Sequence, residues 1–220
     1  MSSDSPQPKR ILLVDDHPVV RDGLADAINQ EPGLTVCAMA EDRHEALSAA
    51  EKHKPELMVI DLMLKSSSGL ELIKDIHARW AHLPILVVSM QDESHYAERA
   101  LRAGARGYIT KQQATRNILA AIRKVLKGEI YLSEKVANSV LARLAANPEA
   151  TSDSIMDSLT DRELQVFELT GTGLSTRDVA ERLHLDVKTV ETYRARIKEK
   201  LNLKDASELL QVAIRWKQGR

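Results

Sequence analysis

The 220-residue chain is predicted to be an α/β protein, a doubly wound parallel sheet of five strands, followed by a small all-α domain. Three observations predict this. Between Lys9 and about Gly128, five short apolar runs (RILLV, LTVCAMA, LMVIDLML, ILVVSM and GYIT) alternate with stretches of helical spacing. Five β/α repeats are too few for a barrel of eight and imply parallel strands covered by helices on both faces. Past Gly128 the strand signal stops, and from Leu159 onward the apolar positions recur only at helical intervals.

Taken in order, MSSDSPQP is polar, lacks the apolar core of a signal peptide, and is expected to be a disordered start over residues 1–8. The first domain is expected over 9–128, with helices near 18–30, 43–53, 70–80, 93–103 and 115–127 between the strands. Residues 129–157 read as a linker carrying one amphipathic helix at 133–146 (SEKVANSVLARLAA). The segment that follows, NPEATSDSIMDS, has the Pro, Ser, Thr and Asp content of a connector. A second domain over 158–220 is expected to hold four helices, near 161–171, 176–183, 187–201 and 206–217. Three of their starts carry the spacing of a capping box, in Thr160 with Glu163, Ser175 with Asp178 and Asp205 with Glu208.

Within LMVIDLML a single carboxylate, Asp61, interrupts eight otherwise apolar positions. An unpaired charge in a strand buried on both faces would cost several kcal/mol, roughly, so the strand is expected to end at a site there. Other strand ends are polar too. Asp15 and Asp16 follow ILLV, Ser89 follows ILVV, and Lys111 follows GYIT. In a parallel sheet these carboxyl ends share one edge, which is where such folds bind ligands. Three close carboxylates repel unless a cation joins them, and hard oxygen donors suit Mg²⁺ or Mn²⁺. Asp61 is then free to act as a nucleophile on phosphorus, with Lys111 and Ser89 placed to meet phosphoryl oxygens.

The series Asp15-Asp16, Asp61, Ser89, Lys111 resembles the flavodoxin-like receiver domain of two-component response regulators, and LVDDHPVVRDGL resembles the opening of the NarL/FixJ subfamily. The resemblance implies that Asp61 accepts a phosphoryl group from a sensor histidine kinase. It implies that Asp15, Asp16, Asp61 and the backbone carbonyl of Met63 hold Mg²⁺, and that Ser89 and Tyr108 form the switch pair. Lys65, Met90 and Gln112 depart from the family's usual Pro, small residue and Pro. The first two bear on loop shape and phosphoryl access, and the third removes a site of cis-peptide geometry.

In the second domain, DVKTVETYRARIKEKLNLK has two faces. Val190, Tyr193 or Arg194, Ile197 and Leu201 are spaced to pack inward, and Lys188, Glu191, Thr192, Ala195 and Lys198 or Glu199 share the opposite stripe. From Lys188 to Lys204 six basic residues face two acidic ones, a local +4 in a chain whose net charge is −1. A short helix, a turn through LHLD and this helix have the size of a helix-turn-helix. The whole stretch from Leu159 to Ile214 resembles the LuxR-type DNA-binding domain, which implies double-stranded DNA as partner and a two-fold homodimer, with the last helix contributing to the dimer contact. Lys188, Thr189, Glu191, Thr192, Arg194, Ala195, Arg196 and Lys198 are the candidate DNA-binding residues. The cations suit phosphates, and Glu191 suits the N4 amine of cytosine. Equally open from the sequence is a plain surface pair between Glu191 and a cation such as Arg194.

The overall charge announces no nucleic-acid partner, so any such surface is local. Cys37 stands alone, which excludes an intramolecular disulfide framework and fits a reducing compartment; it reads as a small buried hydrophobe on a strand. With no run long enough for a membrane span, a cytoplasmic location is expected. The rival to a phosphorylation-dependent regulator is a Mg²⁺-dependent phosphohydrolase with an Asp nucleophile. That enzyme needs a second carboxylate two residues after the first, and position 63 is Met.

Overall fold

Strand β1, Lys9–Val14, is paired in parallel with β2 (Leu34–Ala40) on one side and with β3 (Leu57–Ile60), the middle strand of the sheet, on the other. The structure is a computed structural model that describes residues 7–64, 67–145 and 158–218. It divides into two compact units, Met1–Ala142 and Arg143–Arg220. In the first, α1 (Pro18–Asn29) and α2 (Arg43–His53) flank β2, and a two-residue hairpin of β4 (Met63–Leu64) and β5 (Ser67–Ser68) follows β3. Then come α3 (Gly69–Arg79), β6 (Ile85–Ser89), α4 (Glu93–Ala103), β7 (Gly107–Thr110), α5 (Lys111–Leu126) and α6 (Glu134–Ala145). The sheet runs β2-β1-β3-β6-β7, all parallel.

Both faces of the sheet are covered, with α1 packed beside α5 on one and α3 between α2 and α4 on the other. That is why the strands read as unbroken apolar runs rather than alternating ones. Ile11, Leu13, Val59, Leu86, Val88 and Ile109 meet Ile118, Ile122 and Val125 of α5 in one core. Each side chain of this kind contributes about 1.5–3 kcal/mol on burial. Cys37 sits on β2 but is only half-buried there.

Two elements differ from the sequence expectation. The eight-residue run LMVIDLML is not one strand: β3 stops at Ile60, and Asp61 and Leu62 separate it from the small hairpin. Helix α5 starts at Lys111 rather than near 115, because Thr110 and Gln113 form a capping box directly at the end of β7. Nothing interrupts that start, since Gln112 stands where a proline would restrict the residue before it. All described peptide bonds are trans.

The segment after Gly128, expected as linker, returns to the sheet before α6 begins. Tyr131 pairs in parallel with Gly107 at the outer edge of β7, and Val136 of α6 is buried. The expected connector NPEATSDSIMDS lies outside the described residues apart from Ser158.

In the second unit α7 (Asp161–Gly171), α8 (Thr176–Arg182), α9 (Val187–Lys200) and α10 (Ala206–Gln218) follow the expected spans. The capping boxes at Thr160/Glu163 and Ser175/Asp178 are both complete. At the third, Asp205 Oδ1 accepts from the Glu208 N–H at 2.9 Å, but Glu208 reaches back to the N–H of Lys204 instead. Phe167 of α7 meets Trp216 of α10 edge to face with ring centroids 5.6 Å apart, closing the core of the unit.

Gly69 positions the loop after β3. A Cβ there would lie 2.2 Å from the carbonyl oxygen of Asp61 and 2.6 Å from Leu62 Cα, so α3 begins hard against the backbone of the acidic residue. Gly69→Ala is expected to cost about 1–3 kcal/mol in urea unfolding, the usual penalty for overpacking. Gly23→Ala, in an open helical position with nothing within 4 Å, is expected to gain about 0.5–1 kcal/mol. Equal effects of the two substitutions would refute the close packing under Asp61.

Candidate functional site

The register of the sheet brings the strand ends together. Val14 is level with Ile60, Ile60 with Val87 and Val87 with Tyr108 across four neighbouring strands. One residue further along stand Asp15 and Asp61, and two further stands Ser89 beside Thr110, with Lys111 next. Strands β1 and β3 are the pair at which the strand order reverses, so the two carboxylates open at the switch point where such sheets bind ligands.

Asp15 and Asp61 are 3% and 2% exposed and Ser89 is fully buried. Lys111 Nζ lies 2.7 Å from Asp61 Oδ2 and 2.7 Å from Asp15 Oδ2, so one ammonium joins two buried carboxylates. The Ser89 hydroxyl faces Asp61 and favours its charged form. The other Asp61 oxygen accepts the N–H of Met63 at 3.2 Å, and the Asp61 N–H donates to the carbonyl of Val14 at 2.8 Å. Tyr108 is buried, and its hydroxyl donates to the carbonyl of Gln91 at 3.0 Å in the loop that follows Ser89. The expected crevice residues are therefore assembled at one edge.

The sequence reading missed His17 and Arg21. Asp15, Asp16, His17 and Asp61 each offer a donor atom, all within 4.8 Å of one another. His17 Nδ1 is 2.7 Å from Asp16 Oδ1, while its backbone N–H donates to Asp15 Oδ1 at 2.9 Å. Arg21 Nη1 donates to the Asp15 carbonyl at 2.7 Å and fixes the turn into α1. The contiguous Asp-Asp-His and a basic residue one helical turn later are the signals that could have found them. Of the three departures from the family pattern, Met90 is 65% exposed, Gln112 is exposed in the first turn of α5, and Lys65 lies outside the described residues.

Burial pushes the Asp61 carboxyl above its ordinary value, and the Asp15 charge adds to the rise; Lys111 and the Ser89 hydroxyl offset part of it. Lys111 is pushed down by burial, but the Asp61 and Asp15 carboxylates more than reverse this and its pKa is raised. For both groups the folded pKa lies above the unfolded one. Their stabilising contribution is full below the unfolded value and is lost as pH rises through the folded one. At neutral pH Lys111 is still protonated and supports the fold, whereas the cost of ionising Asp61 counts against it as pH rises.

In the second unit Val190 and Ile197 are fully buried, and Lys188, Glu191, Thr192, Ala195 and Arg196 are exposed. Thr189 and Lys198 are half-buried. Arg194 is turned inward enough to donate to the Thr176 hydroxyl at 2.7 Å, tying α9 to the start of α8. Lys200 donates to the carbonyl of Ser158 at 3.0 Å and to Glu163 Oε2 at 2.7 Å, and so anchors the end of α9 to the start of α7. Two of the six local cations are therefore committed within the unit. Among the described residues Glu191 forms no ion pair, and Arg194 is turned to Thr176.

A parallel sheet with a buried acidic cluster at its carboxyl edge, followed by a four-helix unit with an exposed basic helix, defines a response regulator with a DNA-binding output domain. The chain belongs to that family: residues 11–123 match the response regulator receiver domain and residues 157–213 match the bacterial regulatory proteins of the luxR family. Its family is one of transcriptional regulators rather than enzymes. It is similar to the "Oxygen regulatory protein NreC" of Staphylococcus haemolyticus (strain JCSC1435), 35% identical over 212 residues that cover 94% of this chain and 98% of that one. The S. carnosus (strain TM300) protein of the same name is 33% identical over the same coverage. A solved two-component response regulator of the LuxR family from Aurantimonas sp. SI85-9A1 is similar at 34% identity and a TM-score of 0.59, over 63% of this chain and 99% of that one. The RcsB response regulator of Salmonella typhimurium, at 22% identity and a TM-score of 0.65 over 95% of this chain and 98% of that one, shares the fold.

Because burial disfavours the charged form of Asp61, Asp61→Asn is expected to stabilise the protein at neutral pH in metal-free buffer, read as a raised Tm. The difference should shrink as pH falls toward 4 and the wild-type carboxyl takes up a proton. Melting curves that coincide across this range would reject the charge cost assigned to Asp61.

Proposed function

We propose that this protein is a phosphorylation-dependent transcriptional regulator in which Asp61 accepts a phosphoryl group from a sensor histidine kinase. The observation that carries the reading is the buried Asp61 oxygen held 2.7 Å from an ammonium that also binds Asp15. In the transfer, an Asp61 oxygen forms the new bond to phosphorus as the bond from phosphorus to the donor imidazole breaks. Lys111 is placed to leave its carboxylate partner and pair with a phosphoryl oxygen, and the Ser89 hydroxyl to follow it. Tyr108 is coupled to the same movement through its bond to the Gln91 carbonyl.

The donor set fits a hard divalent cation. Asp15, Asp16, Asp61 and the backbone carbonyl of Met63 would hold Mg²⁺ or Mn²⁺, and their oxygens suit such an ion better than a soft one. When bound, the ion supplies neutralisation of the phosphoryl charge. His17, at the mouth, orients Asp16 through its ring nitrogen.

The output is DNA binding by α9, entered through α8 and the turn between them. Lys188, Arg196 and Lys198 of α9 have no partner inside the unit among the described residues, and they meet phosphates. Glu191, Thr192 and Ala195 on the exposed stripe read base edges, with Thr189 beside them. Arg194 serves mainly as the clamp to Thr176 and reaches a phosphate only by giving up that bond. Leu210 and Ile214 of α10 remain half-buried and suit a two-fold dimer contact, while Trp216 is spent on Phe167.

With acetyl phosphate and Mg²⁺, Asp61→Ala is expected to abolish phosphate incorporation; full labelling of the variant would sink the assignment. For the output domain, Lys188→Ala should weaken binding to all sequences alike and lower the salt slope by about 1. Glu191→Gln should instead change the preferred base at one position of each half-site, worth about 1–3 kcal/mol. An unaltered preference in random-site selection would reject readout by Glu191.

A further inference from the structure

The loop from Ser89 to Glu93 is held at both ends. At one end the buried Ser89 faces Asp61, and its Oγ accepts the Gln91 N–H at 3.4 Å. At the other, Glu93 opens α4, and its Oε1 accepts the Ser133 hydroxyl at 2.6 Å. Ser133 stands immediately before α6 and its Oγ also accepts the Val136 N–H at 3.3 Å, so one hydroxyl both caps α6 and ties it to the loop. Just before it, the Tyr131 N–H donates to the Arg106 carbonyl at 3.0 Å, and the Tyr131 carbonyl accepts the N–H of Tyr108 at 2.9 Å. Gly107 permits this pairing, since a Cβ there would lie 3.1 Å from both Tyr131 Cβ and Tyr131 O. The tyrosine whose hydroxyl grips Gln91 is thus the residue whose backbone carries the start of the linker.

From this we infer that residues 131–136 form a latch that reads the state of the crevice: when Ser89 is drawn to a phosphoryl group on Asp61, Glu93 shifts and α6 is released from β7 and α4. The inference rests on the function proposed above. The direction follows from the second carboxylate oxygen. Glu93 Oε2 is buried with no hydrogen-bond partner among the described residues. Such an atom burdens the latched state, and a displacement that wets it relieves the burden. The latch is held closed by the Ser133–Glu93 hydrogen bond and the Tyr131–Gly107 bridge, backed by the burial of Val136 and the packing of Tyr131 against the core, and the loop acts on the first of these. Because α6 continues into the connector, the signal passes along the chain itself.

The test is amide hydrogen exchange of the full chain, with and without beryllofluoride and Mg²⁺ as a phosphoryl mimic, occupancy being read by ¹⁹F NMR. Loading wild type is expected to speed exchange of Tyr131 and of residues 136–137 at least tenfold while the β1 amides stay unchanged. Ser133→Asp keeps a capping acceptor but sets a second carboxylate against Glu93, so it should show the fast exchange without the mimic. Glu93→Gln, whose amide oxygen still accepts from Ser133, should exchange like unloaded wild type. Bound beryllofluoride with unchanged exchange at these amides overturns the latch, as does wild-type protection in Ser133→Asp. Failure of beryllofluoride to bind counts against the phosphoacceptor reading instead, and the Ser133→Asp comparison then decides the latch by itself.

Discussion

The shared ammonium of Lys111 is the interaction on which the first unit depends. Asp15 and Asp61 follow directly on buried strands, and neither could stay charged there without a donor. Lys111 reaches both because α5 begins the moment β7 ends, and that abrupt start depends on Thr110 and Gln113 satisfying each other's backbone donors. Removing the ammonium would leave two like charges buried side by side. Replacing the whole cluster with apolar side chains would relieve the fold of a cost it carries for function.

How much of this was legible in the sequence can be judged from particular residues. The polar groups at Asp15, Asp61, Ser89 and Lys111 could be assigned to one edge because parallel strands all point the same way, and the register then aligned them. The break after Ile60 could not be read, because Leu62 and Leu64 are as apolar as the strand and only the approach of Gly69 to the Asp61 carbonyl turns the chain there. The start of α5 was readable in principle from Thr110 and Gln113, but the apolar spacing that marks a helix becomes visible only further on. The pairing of Tyr131 with Gly107 is a contact between backbones, and no side-chain pattern announces it.

In the second unit the spacing of Val190 and Ile197 correctly oriented α9, while counting charge overstated its basic face. Composition treats Arg194 and Lys200 as equal to Lys188. Their bonds to Thr176, Ser158 and Glu163 make them parts of the scaffold. What distinguishes the two kinds of cation is which neighbours the fold brings within reach, and those lie 18 to 42 residues away in the chain. The +4 of the segment is thus divided between holding the helix in place and leaving it attractive to an anion.

The bond from Lys200 to the Ser158 carbonyl makes residues upstream of α7 part of the helical unit's framework. The far end of the exposed helix is moored to a residue that precedes α7, and the same ammonium supports the Glu163 side that closes the Thr160 cap. A fragment trimmed to begin at Asp161, the first helical residue, would keep every helix but lose both the mooring and the cap. When this unit is transplanted to another receiver, the junction therefore belongs upstream of Ser158, and the few residues before the first helix travel as part of its working surface.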